Sequence, residues 1–141
     1  MPIEYRIRGD VVYVAGTGVV TAADLADHLD SLRRDPAYRS PMKKIVDYRS
    51  GRVLEVSTEE IQRIARLKLR LKEAFEGERC AFLVNADMDF GLSRMHGALV
   101  EEHLDSAVFR EIPPALEWLG VDPGTFDALA NPHDESGSEK T

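Results

Sequence analysis

The chain has 141 residues, 43% hydrophobic and 30% charged, which is enough for one domain with its own core and leaves no apolar run near the ~20 residues that span a bilayer. Eighteen Lys and Arg against 25 Asp and Glu give a formal net charge of −7, which argues against nucleic-acid binding over the whole surface. The single cysteine, Cys80, has no partner for a disulfide within the chain, and Met1-Pro2-Ile3-Glu4 has neither the basic region nor the apolar stretch of a signal peptide; a cytoplasmic location is the expectation, peripheral to a membrane at most.

In chain order, residues 4–8 and 11–16 are β-branched and aromatic stretches separated by Gly9-Asp10, and they predict an antiparallel hairpin. Thr21, with Asp24 three residues on, predicts a helix start. Ala22, Leu25, Ala26, Leu29 and Leu32 form one apolar stripe that ends before Pro36. Lys44 to Tyr48 reads as a short strand ending in a turn at Arg49-Ser50-Gly51. Ser57 and Glu60 form a capping box that opens the longest predicted helix, ending near Gly77. Cys80 to Val84 is apolar without alternation, as expected of a strand covered on both faces. A helix is predicted over about 90–104, then a weak strand at 107–110. Pro113 and Pro114 suit the first turn of a last helix, and Gly120 suits its end. Residues 131–141 contain no large apolar side chain and read as a disordered tail beyond a single domain over 1–130.

The alternation of strands and helices after the hairpin predicts an α/β fold with a mainly parallel sheet. Strands added in one direction with right-handed crossovers place the helices largely on one face. The other face then needs a cover: a partner, a ligand, the C-terminal segment or its own polar residues.

Four segments carry a family resemblance: Gly18 to Asp24, Ile45 to Gly51, Ala81 to Val84 leading to Phe90-Gly-Leu-Ser-Arg-Met95, and Val108-Phe109-Arg110 with Ala115 to Leu119. Together, over about residues 4–120, they resemble the small bacterial STAS-like, SpoIIAA-like proteins. The resemblance implies a superhelix of βα units, a fold shared with CRAL-TRIO lipid-transfer domains. It also implies a role as a phospho-switched regulatory partner or as a binder of hydrophobic ligands or membranes. In the phospho-switched members the modified serine follows the third strand in an Asp-Ser-Ser-Gly-like context. Here Asp47-Tyr48-Arg49-Ser50-Gly51 offers only Ser50, which is either a phosphorylation site flanked by Arg49 and Arg52 or an ordinary turn serine.

Two constellations are candidates for binding. At about 100° per residue, the helix from Thr58 places Ile61, Ile64, Leu67, Leu71, Ala74 and Phe75 on one face, with Ala65 and Leu69 on its far side and Lys68 and Lys72 between. Because a buried lysine is costly, Ala65, Lys68, Leu69 and Lys72 are expected near the surface. They would meet an anionic lipid surface or an acidic partner, or else be simply solvated. In the second, Arg94 with Met88, Phe90 and Met95 would hold an anionic head group and an apolar tail beside Asp47, Tyr48 and Arg49 at the strand ends. Alternatively, Arg94 pairs with Asp47 and the methionines fill the core.

Asp87, Asp89, His96 and His103 do not fix the three or four converging ligands a metal needs, so no metal or other cofactor is expected. Cys80, in a buried strand, reads as an inert small hydrophobe. Gly16-x-Gly18 lacks the third glycine of a dinucleotide fingerprint, and no nucleophile and base can be named. The expectation is a non-enzymatic binding protein for a hydrophobic or amphipathic ligand or a membrane surface. The alternative is a regulatory protein-interaction module, homodimeric through an uncovered sheet face.

Overall fold

The computed structural model describes residues 3–39, 41–52, 57–85 and 105–131. One five-stranded sheet runs in sequence order: β1 (Ile3–Arg8), β2 (Val11–Val19), β3 (Lys43–Arg52), β4 (Arg79–Leu83) and β5 (Ser106–Phe109). The first pair is antiparallel and the other three pairs are parallel, as the hairpin and the alternation predict. The helices are α1 (Ala22–Arg34), α2 (Thr58–Arg70), the single turn α3 (Lys72–Phe75), α4 (Ile112–Leu119) and α5 (Pro123–Ala130).

The helix ends follow from local chemistry. Thr21 Oγ1 accepts from the Asp24 backbone at 3.2 Å while the Asp24 carboxylate accepts from the Thr21 backbone at 2.9 Å; Ser57 and Glu60 repeat the arrangement at α2. Pro113 and Pro114 occupy the first turn of α4, and Gly120 ends it at φ 72, a left-handed conformation that glycine adopts without a Cβ clash.

Period-two alternation decides which side chain meets which layer. Val12 and Val14 of β2, Val46 and Tyr48 of β3, and Cys80 and Phe82 of β4 face α1 and α2, where Leu25, Leu29, Leu32, Ile61 and Ala65 complete a core. Val11, Tyr13, Ile45, Ala81 and Leu83 point the other way and are covered by Ala115, Leu116 and Leu119 of α4 with Phe126 and Leu129 of α5. The C-terminal segment is therefore the cover of the second face, and the bare surface invoked for a homodimer is occupied by the chain itself.

Three expectations are corrected. The turn at Arg49-Ser50-Gly51 is strand: β2 and β3 continue past a register irregularity between Ala15 and Thr17, and Ser50 pairs with Thr17 and Gly51 with Gly18. The long helix is interrupted at Leu71 (φ −96, ψ 22) before α3. Helix α5 has no counterpart in the sequence reading. It is eight residues opened by Asp122, whose carboxylate accepts from the Gly124 backbone at 2.9 Å, with Pro123 in its first turn. The predicted helix at 90–104 lies outside the described residues, as does the tail beyond residue 131.

The ring of Tyr48 lies directly on Gly16 of the neighbouring strand: a Cβ built there would stand 2.6 Å from Tyr48 Cε1. Tyr48 is almost fully buried and has little room to move. Gly16→Ala is therefore expected to destabilise the chain by about 1–3 kcal/mol, read as a lower urea midpoint, and Tyr48→Leu in the same chain to recover part of the loss.

Candidate functional site

Residue 44 lies on β3, the middle strand, between Val12 of β2 and Cys80 of β4, and its parity points it at α1 and α2. It is a lysine with 3% exposure. Lys68, in the last turn of α2, is buried beside it at 7%. Between them stands Glu78, just before β4, also buried. Its carboxylate pairs tightly with Lys68, lies 3.9 Å from Lys44 Nζ and accepts a short hydrogen bond from the Tyr38 hydroxyl. The Phe75 ring of α3 faces both ammonium groups, 5.8 Å from Lys44 Nζ and 5.4 Å from Lys68 Nζ.

Burial alone would raise the Glu78 carboxyl, but the two lysines, with the Tyr38 bond, pull it down to about 2. Burial lowers Lys44 and Glu78 only partly offsets it, so Lys44 stays below the ordinary lysine value; at Lys68 the Glu78 pairing outweighs burial and the net shift is upward.

Next to this cluster, under α1 and α2, is a half-enclosed cavity of about 50 Å³. Its walls are apolar, from Leu25, Leu29, Val46, Ile61, Ile64 and Phe82 among others, and its polar margin is His28, Lys44 and Lys68. His28 is 8% exposed, its ring set edge-on to Tyr5 at 5.8 Å, and its Nε2 has no hydrogen-bond partner among the described residues. Burial, reinforced by the Lys44 charge, pushes its pKa down to about 2, so the imidazole is neutral. Among the described residues, two lysines face one carboxylate, a surplus of one positive charge. The described lining contains the lysines but not Glu78.

The residues expected to form a ligand site at the strand ends are divided by the sheet. Tyr48 faces the α1 and α2 core, whereas Asp47 faces α5. Asp47 is satisfied locally: Arg49 donates to both carboxylate oxygens at 2.9 and 2.8 Å, the Arg49 backbone donates at 3.1 Å, and the Tyr13 hydroxyl donates at 2.8 Å. Burial would raise its pKa, but these bonds hold it below the ordinary value. Met88, Phe90, Arg94 and Met95 lie outside the described residues, as do Asp87, Asp89, His96 and His103. Among the described residues no group of three or more potential metal ligands occurs.

The basic stripe on α2 is corrected. Ala65 is buried at 1% and Lys68 is inside the Glu78 cluster, because an ion-paired partner makes burial of the ammonium tolerable; Leu69 is exposed. Ser50 is exposed in β3, and Cys80 is buried with its thiol pushed up to about 11 by burial. Sequence reasoning missed His28, Lys44 and Glu78. The one available signal was a lysine at a sheet-centre position between Met42 and Val46.

No protein-family model and no curated protein matches the chain. Among solved structures it is similar to an uncharacterized protein of the DUF3478 family from Shewanella loihica PV-4 with a SpoIIAA-like fold. The TM-score is 0.54 at 16% identity, over 83% of this chain and 91% of that one. The fold is thus SpoIIAA-like, as the resemblance in the four segments implied. No helix among the described residues is long and apolar enough to cross a membrane.

His28 gives the fold a titration signature. Its ordinary pKa is 6.5 and its folded value is near 2, so below pH 6.5 the unfolded chain binds a proton that the folded chain refuses. Stability therefore falls as the pH drops from 6.5, with a slope approaching about 1.4 kcal/mol per pH unit for one proton. Urea unfolding between pH 7 and about pH 5, above the carboxylate range, should show this loss in the native chain and a flatter profile in His28→Leu.

Proposed function

We propose that this chain is a non-enzymatic binding domain that takes a small amphipathic ligand into the cavity between α1, α2 and the sheet. The observation that carries the reading is the buried His28 Nε2, which has no hydrogen-bond partner among the described residues, at the polar margin of an otherwise apolar cavity. Ligand pockets combine this kind of apolar wall with a few convergent polar groups, and an unpaired buried polar atom costs about 1–3 kcal/mol unless something bonds to it.

Binding fits these groups better than catalysis does. A general base or a thiol nucleophile works best with a pKa near the ambient pH. Here His28 is driven to about 2 and Cys80 to about 11. The SpoIIAA-like fold supports a binding role by analogy of architecture alone.

Saturable shifts of the Leu25, Leu29, Val46 and Ile61 methyl resonances on titration with short-chain alcohols and acids are the expected result. Val46→Phe, which fills the cavity from the rigid side, should abolish them while the remainder of the spectrum stays folded. Shifts that never saturate in the native chain, or that persist in Val46→Phe, would reject the cavity as the site.

A further inference from the structure

We propose that the ligand is a short-chain monocarboxylate whose carboxylate group lies among Lys44, Lys68 and His28. The proposal rests on the binding role of the cavity argued above and specifies its chemistry.

Charge balance comes first. The groups gathered here are His28 from α1, Tyr38 from the segment after it, Lys44 and Tyr48 from β3, Lys68 from α2, Glu78 from the segment before β4 and Cys80 from β4. The only anion among them is Glu78, already engaged by Lys68 and Tyr38 and placed 3.9 Å from Lys44. Lys44 is therefore the less well compensated of two buried ammonium groups, and it borders the cavity. A buried cation with half a counterion is stabilised by a second anion, and one that replaces its lost hydration on the cavity side completes the pairing.

The imidazole points to the same ligand. A neutral histidine carries one N–H, and in the tautomer with the proton on Nε2 it donates to a carboxylate oxygen, which gives the orphaned atom its partner. A second cation would be repelled by both lysines.

Size sets the other limit. With one water-sized sphere needing about 10–15 Å³, the cavity of about 50 Å³ holds roughly three to five heavy atoms. That is the scale of acetate or propionate, with the alkyl end against Val46, Ile61 and Phe82. A dicarboxylate would bring a second charge that the single surplus cation does not balance.

The proton linkage follows from Lys44. Burial lowers the Lys44 pKa from its ordinary value, and a carboxylate beside it would raise it, so pairing with an anion strengthens the ammonium form. Affinity for the anion then declines as the pH rises toward 10.5, the ordinary lysine value, whereas a neutral ligand of the same shape shows no such decline.

The test is calorimetric titration of the full chain with propionate and, separately, with propionamide. The expected result is a preference for propionate of at least about tenfold, as a charge-assisted hydrogen bond confers. Lys44→Met, which leaves the Lys68 and Glu78 pair intact, should erase the preference. The pH dependence in the native chain reads the same linkage without any variant. Equal binding of the two compounds, or a preference untouched in Lys44→Met, would overturn the carboxylate assignment and leave the cavity reading standing. Binding of neither would overturn both.

Discussion

Glu78 is the carboxylate on which the α1 and α2 side of this sheet is assembled. It accepts from Lys68 at the end of α2 and from Tyr38 in the segment after α1, and it faces Lys44 at the centre of the sheet. Three separate stretches of chain thus converge on one side chain just before β4 begins. Removing one member of a buried ion pair costs about 3–5 kcal/mol because the other charge is stranded, so the alignment of α2 over β3 and β4 is strongly specified. The single turn of α3 fits the same frame: the break at Leu71 brings Phe75 back so that its ring faces both ammonium groups and meets Tyr38 edge-on at 5.4 Å. The polar cluster and its aromatic wall form one unit.

The sheet then separates two polar networks that differ in whether they are closed. On the α5 side, Asp47 is met by the Arg49 guanidinium and the Tyr13 hydroxyl, one negative charge against one positive, with Tyr13 fixed edge-on to Phe126 at 5.6 Å. Such a pair is complete and stiffens the ends of β2 and β3. On the α1 and α2 side the balance among the described residues is two cations to one anion, beside a cavity and an imidazole nitrogen with no partner among them. Both networks are charged; among the described residues only the second keeps a buried polar atom without a partner. That contrast, rather than proximity to the strand ends, is what favours the cavity as the proposed site.

The architecture was legible in the sequence because local signals agreed with one another. The hairpin, the capping boxes at Thr21 and Ser57, and the stop at Gly120 are all short-range chemistry, and each recurs in the structure. The site was not legible, because its members lie 10 to 50 positions apart: His28, Lys44, Lys68 and Glu78. The helical arc of α2 did expose Lys68 as a lysine among apolar neighbours, but periodicity cannot reveal that a carboxylate waits behind it. Glu78, between a glycine and an arginine, carries the marks of a loop residue. Tertiary pairing turned a position that looked like surface into core. Similarly, Arg49 to Gly51 has turn chemistry, yet pairing with β2 beyond the irregularity at Ala15 makes it strand.

The same physics links what is costly in this core to what is useful in it. Leucine in place of the neutral His28 would face the apolar wall of Val46 and Phe82 with one desolvated polar group fewer, whereas methionine in place of Lys44 would leave the buried Lys68 and Glu78 pair in place. The native imidazole and ammonium carry a desolvation cost at the margin of a cavity that adjoins the Glu78 cluster. A core selected for stability alone has no physical reason to keep an unpaired imidazole beside two lysines. An anion entering that apolar setting would be drawn by such groups, because electrostatic attraction there is far less screened than in water.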